Sequence, residues 1–457
     1  MQRRLRARGG ADRSIRGVRR TPVVLLALAL VAAAPPVARA SAPEILVLDQ
    51  HGQVLVRHDR FLPSSELPPP DGATPARAPL PAPGRGPHAS AVKRTVASEL
   101  QRLQRAGALT PAEASAYGQT YAGARRLAHR LHGTRRSELA AVLANVDAQA
   151  AEGLLTSSRL PVVMETVRRN AQWWASGPLL TYGRRIRFQG SRLVWEAYPG
   201  QGIQIQWLGT FGRMNQLFLA KGYDTELGEM AAEIQRYAVQ RAGGVAWEYQ
   251  FRFDGGRPPW VSGLAQGTAI QALGRAAVRL KDPQWFALAR SALGIFRTPP
   301  PSGVRVAAGD GAHYLAYSFA PGVRIFNAFF QAIIGLHDFA GLANDAEGRR
   351  LWLDGEREAA REVRRADTGS WSLYQPGVPS DIDYHKVLRD FVRGLCDRLE
   401  HDRQTAVQQL RARRGPAAVL LSFDRWPDPA PYCLETQSLN RELYSRLRAL
   451  GLPTPWG

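Results

Sequence analysis

With 457 residues and 60 lysines and arginines against 39 acids, a formal charge of +21, the chain is long enough to bury a large core and basic enough to attract anions. Its two cysteines, Cys396 and Cys433, exclude a small disulfide-built scaffold and show neither zinc nor redox spacing. Charge alone does not choose among anionic polysaccharide, an acidic cell envelope and extracellular nucleic acid, and an arginine-rich composition is also what a GC-rich coding sequence gives.

The first forty residues read as a secretory signal peptide. Basic residues end in Arg19-Arg20, an apolar run spans Val23 to Ala34, and Ala38-Arg39-Ala40 leads to a cleavage point before Ser41. The run is shorter than the roughly 20 apolar residues a spanning helix needs. No later segment is long and apolar enough to span. Export to the cell envelope or beyond is the expectation, and removing nine arginines and one aspartate lowers the charge by eight, to +13. In that oxidising setting Cys396 and Cys433 can pair and tie the end of the chain to the helical body.

Residues 41–62 alternate apolar and polar on both sides of His51-Gly52, which predicts a β-hairpin serving local packing. Residues 63–90, dense in proline, alanine and glycine, are expected to form a linker. Residues 91–179 turn helical, with Thr110 as an N-cap before Pro111. Short strands are expected over 180–206, broken at Gly183, Gly190 and Pro199-Gly200.

From 207 to 415 the chain shows a coarse period. Helical hairpins begin near Trp207, Leu264, Phe326 and Tyr384, each with a small-and-aromatic inner helix and a more charged outer one. The fold class is therefore mainly α, an α/α toroid of helical hairpins with a few short β-strands on its N-terminal side; 416–457 reads as a C-terminal extension. In such a ring the loops entering successive inner helices share one end. Those loops hold Tyr198 to Gln204, Trp260 to Gln266, His313 to Arg324, and Ala366 to Lys386 with Tyr374 and Tyr384. The last stretch is rich in turn residues, so its phenols and His385 belong to irregular backbone suited to sugar binding and proton transfer.

Three runs in this order, WVSGLAQG (Trp260 to Gly267), YSFAPGVRIFNAFFQAIIGLHDF (Tyr317 to Phe339) and DTGSWSLY followed by DYHK (Asp367 to Lys386), resemble the C-terminal catalytic domain of D-glucuronyl C5-epimerases. The resemblance covers Trp195 to Leu399. It implies an α/α toroid that inverts C5 of glucuronate within a polysaccharide such as the heparan precursor, with no cofactor and no metal. Carried over residue by residue, it implies Tyr317, Tyr374 and Tyr384 as catalytic. The chain departs from the family where Leu315-Ala316-Tyr317-Ser318 stands in place of Glu-Glu-Tyr-Pro, so the family's glutamate is absent.

Around the trio, Trp260 is a candidate sugar platform and Gln266 a hydroxyl partner, while Asn327 is placed to line the ring. His313, Arg324 and His385 are candidates for the positive charge a catalytic phenolate needs, since a free phenol has a pKa near 10. Glu248, in WEYQFRF, is a weak candidate for the missing acid, although strand alternation turns either it or Tyr249 away. The partner expected is a uronate-containing polysaccharide. No nucleic-acid module is present, and a homodimer is left open. Three activities remain in play at this level: epimerisation, lyase or hydrolase chemistry on a polyuronide, and polysaccharide binding without catalysis.

Overall fold

The computed structural model describes residues 42–62, 94–414 and 427–454. The signal peptide and the whole of the linker expected from the sequence lie outside them. Strands β1 (Glu44–Leu48) and β2 (Val54–His58) form an antiparallel hairpin about a turn in which the Asp49 carboxylate accepts from the amides of His51 and Gln53. The hairpin does more than pack locally. Its β1 edge pairs in parallel with β3 (Arg185–Phe188), which continues antiparallel into β4 (Trp195–Tyr198) and β5 (Gly202–Ile205), giving the order β2-β1-β3-β4-β5.

Four helices precede β3: α1 (Val96–Arg105), α2 (Pro111–Arg130), α3 (Gly133–Ala151) and α4 (Leu160–Ser176). Thr110 and Glu113 close a reciprocal capping box at the start of α2, with Pro111 in the first turn, where a missing N–H costs nothing. Two buried polar residues join these helices to the sheet. Asn170 of α4 donates to the Ile203 carbonyl (2.7 Å) and accepts from the Ile203 amide (2.8 Å). Glu138 of α3 accepts from the amides of Gly200 and Gly202 and so fixes the β4–β5 turn. Every residue of β4 and β5 is buried.

The inner helices are α5 (Trp207–Leu219), α7 (Gly263–Leu280), α10 (Phe326–Leu342) and α12 (Ile382–Arg414). Between them lie the outer helices α6 (Asp224–Arg236), α8 (Gln284–Ser291), α9 (Gly294–Arg297) and α11 (Ala346–Glu362). Inner helices pack in sequence, α5 on α7, α7 on α10 and α10 on α12, while α11 covers α10 from outside. The architecture is mainly α, an α/α toroid. The C-terminal segment holds α13 (Ala430–Ala449), which packs along α12 as the outer helix of the fourth hairpin, not as an appendage. A disulfide between Cys396 and Cys433 joins the two.

Two devices hold the inner helices together. Gly267 of α7 faces Ala332 and Gly335 of α10 so closely that a Cβ at Gly267 would stand 2.6 Å from the Ala332 Cα and 2.8 Å from its carbonyl oxygen. Asp338 of α10 accepts from Gln271 and Arg275 of α7 and, at 2.6 and 2.9 Å, from Arg398 of α12. Burial alone would raise the Asp338 pKa, but Arg398, His337 and Arg275 hold it far below the carboxylate range. Small β-hairpins bridge outer to next inner helix: β6 (Val239–Arg241) with β7 (Gly244–Ala246), β8 (Arg305–Ala308) with β9 (Gly311–Tyr314), and β10 (Leu373–Gln375) with β11 (Val378–Pro379).

Candidate active site

The four loops that enter the inner helices, together with β4, enclose a cleft of about 100 Å³. One wall is the segment 366–386. Tyr374 stands on β10, whose turn into β11 passes through Gly377 in the left-handed region (φ +79°). Tyr384 stands in the first turn of α12, where the Asp381 carboxylate accepts from the amides of Asp383 and Tyr384 (2.9 and 2.8 Å). The two rings lie 4.5 Å apart.

Tyr317 arrives from the loop between β9 and α10. That loop is pinned to the entry of α7: the Ser318 amide donates to the Val261 carbonyl (3.0 Å), and the Gly263 amide to the Leu315 carbonyl (3.0 Å). The three phenols form one chain of hydrogen-bonding contacts, Tyr317 to Tyr374 to Tyr384. Burial first, and then mutual repulsion of their ionised forms, pushes all three pKa values well above 10. At neutral pH they are O–H donors.

A second wall comes from the sheet. On β4, alternation turns Trp195 and Ala197 to one face and Glu196 and Tyr198 to the other, and the latter two line the cleft. Tyr182 meets Tyr198 edge-on at 5.6 Å. Gln206, at the N-cap of α5, donates to the Tyr198 hydroxyl (2.9 Å) and accepts from Tyr249 (3.2 Å). Burial, followed by the charge of Glu196, pushes Tyr182 up to about 12. Glu196 is also within charge reach of Tyr198 and Tyr249.

Several residues singled out from sequence sit elsewhere. His313 is fully buried on β9, its Nδ1 3.0 Å from Glu362 and its ring against Phe329 at 4.3 Å. Arg324 donates to Glu358 (3.1 Å) and Glu362 (2.7 Å), away from the cleft. His385 is buried, stacked on Trp371 at 3.9 Å, and bonded to the Ser372 hydroxyl and the Leu439 carbonyl; burial lowers its pKa, so it is neutral. None of the three supplies positive charge to a phenolate. Gln266 is spent on the backbone of Trp247.

Glu248 points back from the cleft, gripped by Arg159 (2.6 and 2.9 Å) and Arg241 (2.8 Å), while its neighbour Tyr249 faces in. Burial raises and the two guanidiniums lower the Glu248 pKa, and the guanidiniums win. Trp260 does line the cleft, but Tyr249 (4.3 Å) and Phe253 (5.8 Å) stack on its ring, so it buttresses Tyr317 and is not an open platform. Asn327 lines the cleft from α10.

Beyond Asn327 the cleft opens into a groove of about 630 Å³ between the inner helices, with Arg185, Asn215, Gln271, Arg275 and Gln331 among its polar lining. The two spaces share Tyr182, Glu196, Gln206, Leu208, Leu264 and Asn327. Among the described residues, the grouping compact enough to hold a metal ion is Cys396, Glu400 and Cys433, whose sulfurs are joined to each other.

Residues 242–409 match the D-glucuronyl C5-epimerase C-terminus family. The matched segment holds Tyr317, Tyr374, Tyr384, Trp260 and Asn327; Tyr182, Arg185, Glu196, Tyr198 and Gln206 lie before it. Among solved structures, an endo-β-1,4-glucanase, CMCax from Acetobacter xylinum, aligns over 43% of this chain and 69% of its own at 14% identity, with a TM-score of 0.31.

Sequence reasoning missed the contribution of the sheet. WEAY in β4 is the signal that carries it: alternation puts Glu196 and Tyr198 on one face, and the loop that follows lies at the same end of the ring as the tyrosine loops.

Proposed function

We propose that this protein inverts C5 of uronate residues inside an anionic polysaccharide. The observation that carries the reading is the convergence of Tyr317, Tyr374 and Tyr384, from two separate loops of the epimerase-family segment, on one cleft as a connected set of neutral phenols. Epimerisation needs a proton removed α to the substrate carboxylate and another delivered to the opposite face. Phenols held in the O–H form suit the delivery. The charge that develops on the substrate carboxylate needs donors aimed at it, and Gln206 and Asn327 are placed in the cleft to supply them.

The adjoining groove supports a polymeric substrate. Amides on its inner helices, with Arg185 of β3 and Arg275 of α7, match the hydroxyls and carboxylates of sugars flanking the reacting residue, while Asp383 and Asp390 line the same groove and suit hydroxyls. The basic character of the chain fits an anionic polymer, and export by the N-terminal segment would bring the two together outside the cytoplasm.

The reading is tested by incubating the protein with the heparan precursor and with other glucuronate polymers and following the uronate signals by NMR. Iduronate-type signals at constant chain length support it. Accumulation of an ultraviolet-absorbing unsaturated uronate would replace it with β-elimination, and retention of polymer without any change would replace it with binding alone.

A further inference from the structure

We propose that Glu196 is the general base of the cleft: its carboxylate removes the C5 proton from one face of the uronate while the phenols of Tyr317, Tyr374 and Tyr384 protonate the other. The assignment rests on the uronate-epimerising reading above and adds to it the group that the tyrosines cannot be.

The first ground is composition of the walls. Among the described residues that line the cleft, Glu196 is the one carboxylate, and no histidine, lysine or arginine is among them. The second is protonation. A phenol with a pKa of 10 is ionised in fewer than about one molecule in 10³ at pH 7, and fewer still when burial raises that value, so the resting trio enters the forward reaction as proton donor. A carboxyl is a far stronger acid than a phenol, so its unprotonated form is the group of the cleft suited to the opposite role.

Placement is the third ground. Glu196 comes from β4 and the trio from the loops entering α10 and α12, so base and acid stand on different elements, and β4, bonded on both edges, is a rigid support. Glu196 sits where cleft and groove meet, since it lines both. Its cross-strand neighbour Arg185 lines the groove beside it.

The step balances without any further reagent. The C5–H bond breaks, its proton passes to Glu196, and its electron pair becomes the C5–C6 double bond of an enolate whose charge rests on the substrate carboxylate oxygens. That double bond then returns its pair to C5, which takes the proton of a tyrosine O–H from the opposite face. Glu196 releases its proton to water, and the phenolate regains one through the tyrosine chain. The reverse reaction exchanges the two roles.

The test uses the full chain and the heparan precursor labelled with deuterium at C5, and reads three quantities: loss of label to water, retention of the polymer on the protein, and thermal melting. For E196Q we expect label loss to fall by about 10³-fold, within the range general-base removal gives, with melting and retention close to wild type. E196A is expected to recover part of its label loss when formate is added, whereas Y317F is not. E196D, which keeps the carboxylate one methylene shorter, covers the case in which E196Q does not fold; label loss cut by about 10- to 100-fold is the expected result. Wild-type label loss matched by E196Q, or by E196A without formate, overturns the assignment of Glu196 alone. A wild-type protein that retains the polymer but releases no label overturns the epimerase reading and the assignment with it.

Discussion

Replacing Gly267 by alanine tests whether α7 and α10 cross as closely as described. The added Cβ would lie 2.6 Å from the Ala332 Cα, against the 3.4 Å at which ordinary contact begins, so the two helices must part by about 0.8 Å. The obstacle is backbone, which no rotamer change can remove. Overpacking of this kind costs about 1–3 kcal/mol, and a backbone clash belongs at the upper end of that range. The alanine gains back nearly 1 kcal/mol of helix propensity, leaving about 2 kcal/mol of net destabilisation. Gly341, exposed on α10 with nothing within 4 Å of its virtual Cβ, provides the control: the same substitution there should stabilise by about 0.5–1 kcal/mol. Urea unfolding of both variants reads the two signs directly. G267A at or above wild-type stability would refute the crossing geometry.

Glu248→Gln should cost about 3–5 kcal/mol, because it leaves Arg159 and Arg241 buried without a full counter-charge; wild-type melting together with lost turnover would instead make Glu248 a reacting group. Stability should also fall as pH rises. Burial, followed by hydrogen bonding to Asp367, pushes the carboxyls of Glu435 and Glu442 up to about 8 where α13 meets the 366–386 loop. Both folded values exceed the ordinary value of 4.5. The folded state therefore holds protons that the unfolded state has released, and the contribution is complete below about pH 4.5 and lost as pH passes 8. Both groups are partly solvated, so the total loss between pH 5 and 9 is set at about 1–2 kcal/mol. Denaturation across that range checks it, and E442Q should flatten the profile; a wild-type profile that rises with pH contradicts the assigned protonation.

What the sequence made legible was whatever depends on local pattern. The inner helices begin at Trp207, Gly263, Phe326 and Ile382, within two residues of the starts read from the recurring small-and-aromatic runs. Turn residues marked the break between α11 and α12, within which Tyr374 stands on the short strand β10 and at whose end Tyr384 belongs to the first turn of α12 rather than to irregular backbone. Long-range pairing stayed hidden. His313 and Arg324 looked like cations for a phenolate because their acids, Glu358 and Glu362, lie 34 to 49 residues away on α11. Glu248 lost its candidacy to Arg159, 89 residues earlier. Trp260 gave no sign of the rings that stack on it. Glu196 was overlooked for another reason: β4 is buried along its whole length, so WEAY read as one more short packing strand, and it lies before residues 242–409, which match the epimerase family.

The most direct test of the central claim is hydrogen exchange at C5. The protein is incubated with a glucuronate polysaccharide in deuterated water, and each uronate of the product is weighed by mass spectrometry after complete depolymerisation. The account predicts one deuterium at C5 in both epimers, with the polymer length unchanged before depolymerisation. No deuterium at C5 in any of several uronate polymers, under conditions where the protein binds them, would contradict it.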